Sequence, residues 1–319
     1  MSDHPGVDGC CSTPESRDAA DIRDRVQRVY APEERLGRRA FLKSVGAAAV
    51  AGTFAGCVGL GSGGDDESAG DATGQSDVLR GTIVVGEEME VIEGTVRIEN
   101  GRIESVTEEG VESDDIIVPA FVNPHTHITD SIAKDGDRAR QYSWEELFID
   151  PGLKSQYLEA ATREEKRKGM LRTMEFMRTT GTGTFADFKE EGIQGVEDLE
   201  ALDERTDVDA VTLLTGGYLD ENDDLRTEIE KADGYNAYYP FGEQDERARE
   251  ICDELGKVFA LHSGEPSPDD IDAALALNPD YTSHMVQARP KDYETMAEND
   301  IGLAAQIRSN LVILGELPP

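Results

Sequence analysis

Two rhythms of apolar and polar residues divide the chain. From Gly81 to Val106, "GTIVVGEEMEVIEGTVRIENGRIESV" alternates apolar and polar positions, and Asn100-Gly101 marks a turn. That pattern predicts short strands joined as a hairpin. After residue 116 the rhythm changes to short apolar runs separated by long charged stretches. The runs are "DIIVPAFVNPH", "TGTGTFADF", "DAVTLLTGG", "GYNAYYP", "KVFALHSGE", "DYTSHMV" and "IGLAAQI"; between them lie helical segments such as "TREEKRKGMLRTMEFMRTTG" and "EQDERAREICDELG". Repeated strand–helix alternation predicts a parallel sheet with crossover helices. Seven strands in series favour a barrel over a doubly wound sheet, and no glycine-rich nucleotide loop follows the first of them.

The first quarter of the chain reads as an address. Residues 1–35 are polar and poor in large apolar side chains. In "GRRAFLKSVGAAAVAGTFAGC", Arg38-Arg39 followed by Phe41-Leu42-Lys43 resembles the twin-arginine export signal. The uncharged run Ser44–Gly56 has 13 residues. A spanning helix needs about 20, so the run suits a signal segment better. Its Ala/Gly richness lacks the polar periodicity of a core helix. "Phe-Ala-Gly-Cys" ahead of a Gly/Ser/Asp tether resembles a lipobox, with Cys57 as the lipid-bearing residue and Phe54 where Leu is usual. The expectation is export by the twin-arginine route and anchoring to the outer face of the cytoplasmic membrane; the alternative is a cytoplasmic protein. The expected domains are a polar tail, signal and linker over 1–77, a β-sandwich portion over 78–115 and a barrel over 116–319.

Charge narrows the partners. The chain of 319 residues has 67 acidic and 31 basic side chains, a net charge of −36. Phosphate backbones are held by Lys and Arg, so nucleic acid is excluded as an expected partner. The membrane is expected only through the anchor at Cys57. Asp and Glu are spread along the whole chain instead of gathered in blocks, which resembles the acidic coat of proteins from salt-loving microbes. Cys10, Cys11, Cys57 and Cys252 show no metal-site spacing and imply no disulfide framework. Cys252, in a charged helical stretch, reads as a packed thiol.

The candidate chemistry lies in the histidines, of which there are five. His125 and His127 end the first strand, His262 ends "KVFALH" and His284 ends "DYTSH"; only His4 is left in the polar tail. Side chains two apart on a strand point to the same side. The C-terminal ends of barrel strands are where chemistry is found. His127 precedes His262 by 135 residues, close to four strand–helix steps of about 30 residues each. Four histidines on one rim can share a divalent ion.

"PAFVNPHTHITDS", "ALHSGE" and "TSHM" resemble the amidohydrolase superfamily of metal-dependent hydrolases, in the branch of cytosine deaminase and the aminohydrolase/chlorohydrolase enzymes. The resemblance covers roughly 78–319, with Ala120 where Gly is common. It implies an α/β fold: a (β/α)8 TIM-type barrel with a small β-sandwich portion built from the N-terminal strands. His125, His127 and His262 would ligate the metal, Glu265 would be the proton shuttle, and His284 would contact the ion or orient its water. One ion is expected, zinc first, with iron or manganese as alternatives. Two-metal members need a Lys or Glu on the fourth strand, and "DGYNAYYP" offers no Lys. Lys189 reads as salt-bridged or substrate-facing. The expected partner is a small-molecule substrate, with a homo-oligomer possible.

Two rival readings stand beside this one. A lipid-anchored solute-binding protein would explain the signal and tether but not the histidines. A catalytically impaired homologue is the other. The family pattern puts an Asp at the end of the eighth strand, and "IGLAAQIRSN" counts as the seventh. A further step would set the eighth near position ~335, past Pro319, so an incomplete barrel with poor or absent activity is expected. Asp130 lies too close to the first strand to substitute, and Asp187 belongs to the second.

Overall fold

A computed structural model describes residues 76–319, apart from 87, 134–140, 150, 204 and 219–223. The twin-arginine segment, Cys10, Cys11, Cys57 and His4 lie outside the described residues. No helix among the described residues is long and apolar enough to cross a membrane. The chain forms two compact units that part between Ala120 and Phe121.

The smaller unit is a four-stranded sheet of order β3-β2-β1-β4, with β1 Ser76–Val85, β2 Glu90–Glu99, β3 Arg102–Glu108 and β4 Ile116–Ile117. Its alternating sequence gives the antiparallel β1–β2 and β2–β3 ladders. Asn100 and Gly101, at φ 52° and 73°, close the β2–β3 hairpin with two positive-φ residues, the geometry that Asn-Gly favours.

The larger unit holds seven parallel strands in unbroken chain order: β5 Phe121–Thr126, β6 Thr182–Lys189, β7 Asp209–Thr215, β8 Gly234–Ala237, β9 Val258–Ser263, β10 Tyr281–His284 and β11 Gly302–Ala304. All seven runs read from the sequence are present. The sheet curls into a nearly closed barrel of the TIM type. Strands are spaced ~4.8 Å apart, so β5 and β10 would lie ~24 Å apart in a flat sheet. Instead His125 Nδ1 on β5 is 2.7 Å from Ser283 Oγ on β10, and the Tyr281 hydroxyl donates to the Pro124 carbonyl at 2.8 Å.

One element differs from the sequence reading. The run from Ile116 to Val122 is not one strand. Ile116–Ile117 pairs with β1 in the small sheet, and Phe121–Thr126 opens the barrel. Pro119, which has no N–H to give a ladder, lies in the break.

The outer helices are α1 Trp144–Phe148, α2 Leu153–Ala160, α3 Arg163–Thr179, α4 Gly192–Asp203, α5 Leu225–Lys231, α6 Glu243–Leu255, α7 Ile271–Ala276, α8 Pro290–Glu298 and α9 Ile307–Ile313. Helix α3 starts at a capping box in which Thr162 Oγ1 accepts from Glu165 N and Glu165 Oε2 accepts from Thr162 N. Its Met170, Met174 and Met177 pack on Phe185 of β6. Around β8 and β9, Tyr235 and Phe259 stack at 5.9 Å within a cluster that includes Ile251 and Cys252 of α6.

Candidate functional site

The four histidines read from the sequence converge on one end of the barrel. Ring centroids are 5.0 Å apart for His125–His127, 4.6 Å for His125–His262, 5.2 Å for His127–His262, 5.3 Å for His125–His284 and 5.4 Å for His262–His284. The local sequence places each ring. His125 and His127 leave β5 on one side, as the strand period requires. His284 ends β10 at φ 71° and Met285 follows at φ 51°. Two consecutive non-glycine residues in the left-handed region are strained, a feature that concentrates at functional sites. Neighbouring hydrogen bonds hold them there: Met285 N donates to the Ser263 carbonyl and Gln287 N to the Gly264 carbonyl, both at 2.9 Å. The β9 and β10 ends are thereby locked together. Gly264 turns the chain at φ 59°, where an added Cβ would stand 2.9 Å from Ile271. The turn brings Glu265 Oε1 to 3.5 Å from His284 Nδ1.

Beneath the rings lies an apolar floor. Phe188 of β6 is fully buried, with its centroid 4.2 Å from that of His125 and 4.9 Å from that of His262. Tyr238, next after β8, stacks on His262 at 4.5 Å. Burial, and then the neighbouring imidazoles, push the pKa values of His125 and His262 well below the usual histidine range. Burial also lowers that of His284, against the pull of Glu265 and Asn310. Neutral rings are the form that binds metal.

His125, His262 and His284 each offer a ligand atom, and these lie within 4.8 Å of one another. His127 joins through its Nε2, 3.1 Å from His262 Nε2. Ligands ~2.0–2.1 Å from a tetrahedral ion stand ~3.3–3.4 Å apart, so two facing nitrogens at this separation fit a shared ion. Two of the remaining nitrogens are held from outside, whereas His262 Nδ1 is buried with no hydrogen-bond partner among the described residues. His127 Nδ1 lies 2.7 Å from Glu190 Oε1 and His284 Nδ1 lies 2.8 Å from Asn310 Oδ1. A carboxylate behind a histidine fixes which nitrogen carries the proton and raises the basicity of the other. Burial would raise the Glu190 pKa. The charge of Lys154, together with the hydrogen bond from His127, overrides burial and holds the carboxyl well below its usual range.

Glu190, Lys154 and Asn310 are site residues that the sequence reading missed. Glu190 lies within "FKEEG", which looks like an ordinary charged loop; its position at the end of the second strand was the available signal. Lys189, beside it, is salt-bridged: fully buried, with Nζ 3.4 Å from Asp187 Oδ2. Neither aspartate weighed for the eighth-strand role is free for it. Asp187 Oδ1 accepts from Ile128 N at 2.7 Å and from Thr126 Oγ1 at 2.8 Å. Asp130 Oδ2 pairs with Lys154 Nζ at 3.1 Å.

Comparison with known proteins gives the fold and the family. A "Putative aminohydrolase" of Archaeoglobus fulgidus is 31% identical over 209 residues, covering 64% of this chain and 58% of its own length. The barrel resembles Aspergillus niger ochratoxinase, with a TM-score of 0.52 at 13% identity over 73% of this chain and 65% of that one. It also resembles an uncharacterized metal-dependent hydrolase of Pyrococcus furiosus, with a TM-score of 0.52 at 11% identity over 72% and 76% of the two chains. The model of the amidohydrolase family matches residues 116–313, and the chain belongs to that family.

Proposed function

We propose that the chain carries the metal site of a hydrolase that cleaves a non-peptide C–N bond in a small molecule, by deaminating an amino-heterocycle or opening a cyclic amide. The observation that carries this reading is the convergence of four histidines, with His127 Nε2 3.1 Å from His262 Nε2. His125, His127 and His262 would hold one divalent ion, zinc before iron or manganese, since imidazole suits all three. Such an ion lowers the pKa of a coordinated water towards ~7 and polarises the bond to be broken.

The protein side chains do the rest. Glu265, mostly buried beside His284, takes a proton from the attacking water at its carboxylate and returns it to the leaving nitrogen. His284, with Nδ1 engaged by Asn310, keeps Nε2 to orient that water or contact the ion. Phe188 and Tyr238 exclude bulk water from the rings and strengthen each electrostatic contact there.

The test is a screen of amino-substituted heterocycles for ammonia release and of cyclic amides for ring opening, with the zinc-loaded chain and Glu265→Gln side by side. Turnover that falls at least ~100-fold in the variant supports the reading. Equal turnover overturns the role of Glu265.

The address belongs to the same proposal: export through Arg38-Arg39 and attachment at Cys57, with a cytoplasmic protein as the alternative. Replacing both arginines by lysine should trap the protein in the cytoplasm. Finding the unaltered protein there would contradict the signal reading.

A further inference from the structure

Beside the histidine cluster lies a second group of ligand-type atoms that the proposed reaction does not use. His127, Asp130 and Glu190 each direct one such atom to a common place, all within 4.8 Å of one another. An imidazole with two carboxylates is a donor set that several divalent ions accept. Glu190 is fully buried, and its Oε2 has no hydrogen-bond partner among the described residues. Taken alone, the group would be a candidate for a second ion.

A cation already stands there. Lys154 Nζ, from α2, lies 2.6 Å from Glu190 Oε1 and 3.1 Å from Asp130 Oδ2. The same Glu190 oxygen lies 2.7 Å from His127 Nδ1, so it is shared between an ammonium and an imidazole. Both lone pairs of that oxygen are thereby engaged, so an ion binding it ~2.0–2.2 Å away would have to displace Nζ or Nδ1. His127 is also committed. With Nδ1–H donated to Glu190, its only bare nitrogen is Nε2, which faces His262. The lysine is delivered by a packed element: Tyr157 and Leu158, one turn further along α2, are buried against Ile132.

We propose that Lys154 is a positioning residue whose ammonium fills the place of a second metal ion, holding Glu190 against His127 and limiting the site to one metal. The proposal rests on the reading of His127 as a ligand. It extends that reading by assigning the metal count to a particular side chain. The fourth strand, β8, ends at Ala237 and carries neither lysine nor glutamate, so it supplies no bridging group of its own. Lys154 instead provides a fixed positive charge that no chelator removes.

The experiment counts zinc in the full chain after stripping, reloading with excess zinc and gel filtration. The wild type is expected to retain one equivalent. Lys154→Met, of similar length but neutral, is expected to retain two, as is Lys154→Gln, which is neutral and one atom shorter and leaves the place of the ammonium open. Lys154→Arg keeps the charge and should stay at one. Adding Asp130→Ala to Lys154→Met should return the count to one. Two equivalents in the wild type, or one in both neutral variants, would overturn the proposal. No zinc in the wild type would overturn the ligand assignment itself. Circular dichroism of each variant identifies any that has not folded, and the wild-type count decides independently of them.

Discussion

Replacing Asn310 by leucine tests how the end of β10 is held. Asn310 Nδ2 donates to the Ala305 carbonyl at 2.6 Å, which fixes the amide's orientation and leaves Oδ1 to accept from His284 Nδ1 at 2.8 Å. Leucine has the same branched skeleton of side-chain heavy atoms, with bulkier methyl ends, and can do neither. Asn310 and His284 are 1% and 4% exposed, so water cannot readily take over the lost partner. A buried donor left unpaired costs about 1–3 kcal/mol. The Ala305 carbonyl is half-buried and can turn to water, which adds less. The expected loss is therefore about 2–3 kcal/mol, measured by urea unfolding at pH 7.5. If the His284 bond carries it, His284→Leu and Asn310→Leu should be non-additive by at least ~1 kcal/mol in a double-mutant cycle. A loss below ~0.5 kcal/mol, or strict additivity, would refute the argument.

Other outcomes follow from the same structure. The pKa values of His125 and His262 are lowered in the folded state from 6.5, so below that pH the unfolded chain binds protons that the native chain does not. The stability of the metal-free protein should therefore be full above pH ~6.5 and fall as pH drops, by up to ~1.4 kcal/mol per pH unit for each histidine; flat urea midpoints from pH 7.5 to 5.5 would contradict this. Cys252 is fully buried, and burial pushes its thiol up to about 11. Peptide mapping after thiol labelling should find it unmodified in the native state and modified in denaturant. With a net charge of −36, the melting temperature should rise between 0.1 M and 1 M salt, as the Debye length shortens from ~10 Å to ~3 Å; equal values would show that repulsion among the carboxylates is not limiting.

The barrel and its histidines were legible because both are written locally. Each strand is an apolar run between charged helices, and the strand period alone puts His125 and His127 on one side. The residues behind the histidines were not legible. Glu190 is 63 positions from His127, and Asn310 is 26 from His284; the parallel pairing of β5 with β6 and the placement of α9 bring them together. Lys154 looks like any polar residue of a surface helix until α2 packs on Ile132. The break at Pro119 was visible as a proline, but the apolar run around it hid the assignment of Ile116–Ile117 to a different sheet.

The central claim is that histidines from separate strands make one metal site. Its most direct test counts divalent metal per chain in the wild type and in a variant with both His125→Ala and His127→Ala, each purified without chelator and dialysed against zinc. About one ion is expected in the wild type and none in a variant that keeps the wild-type circular dichroism. Full retention of the ion by that folded variant would contradict the claim.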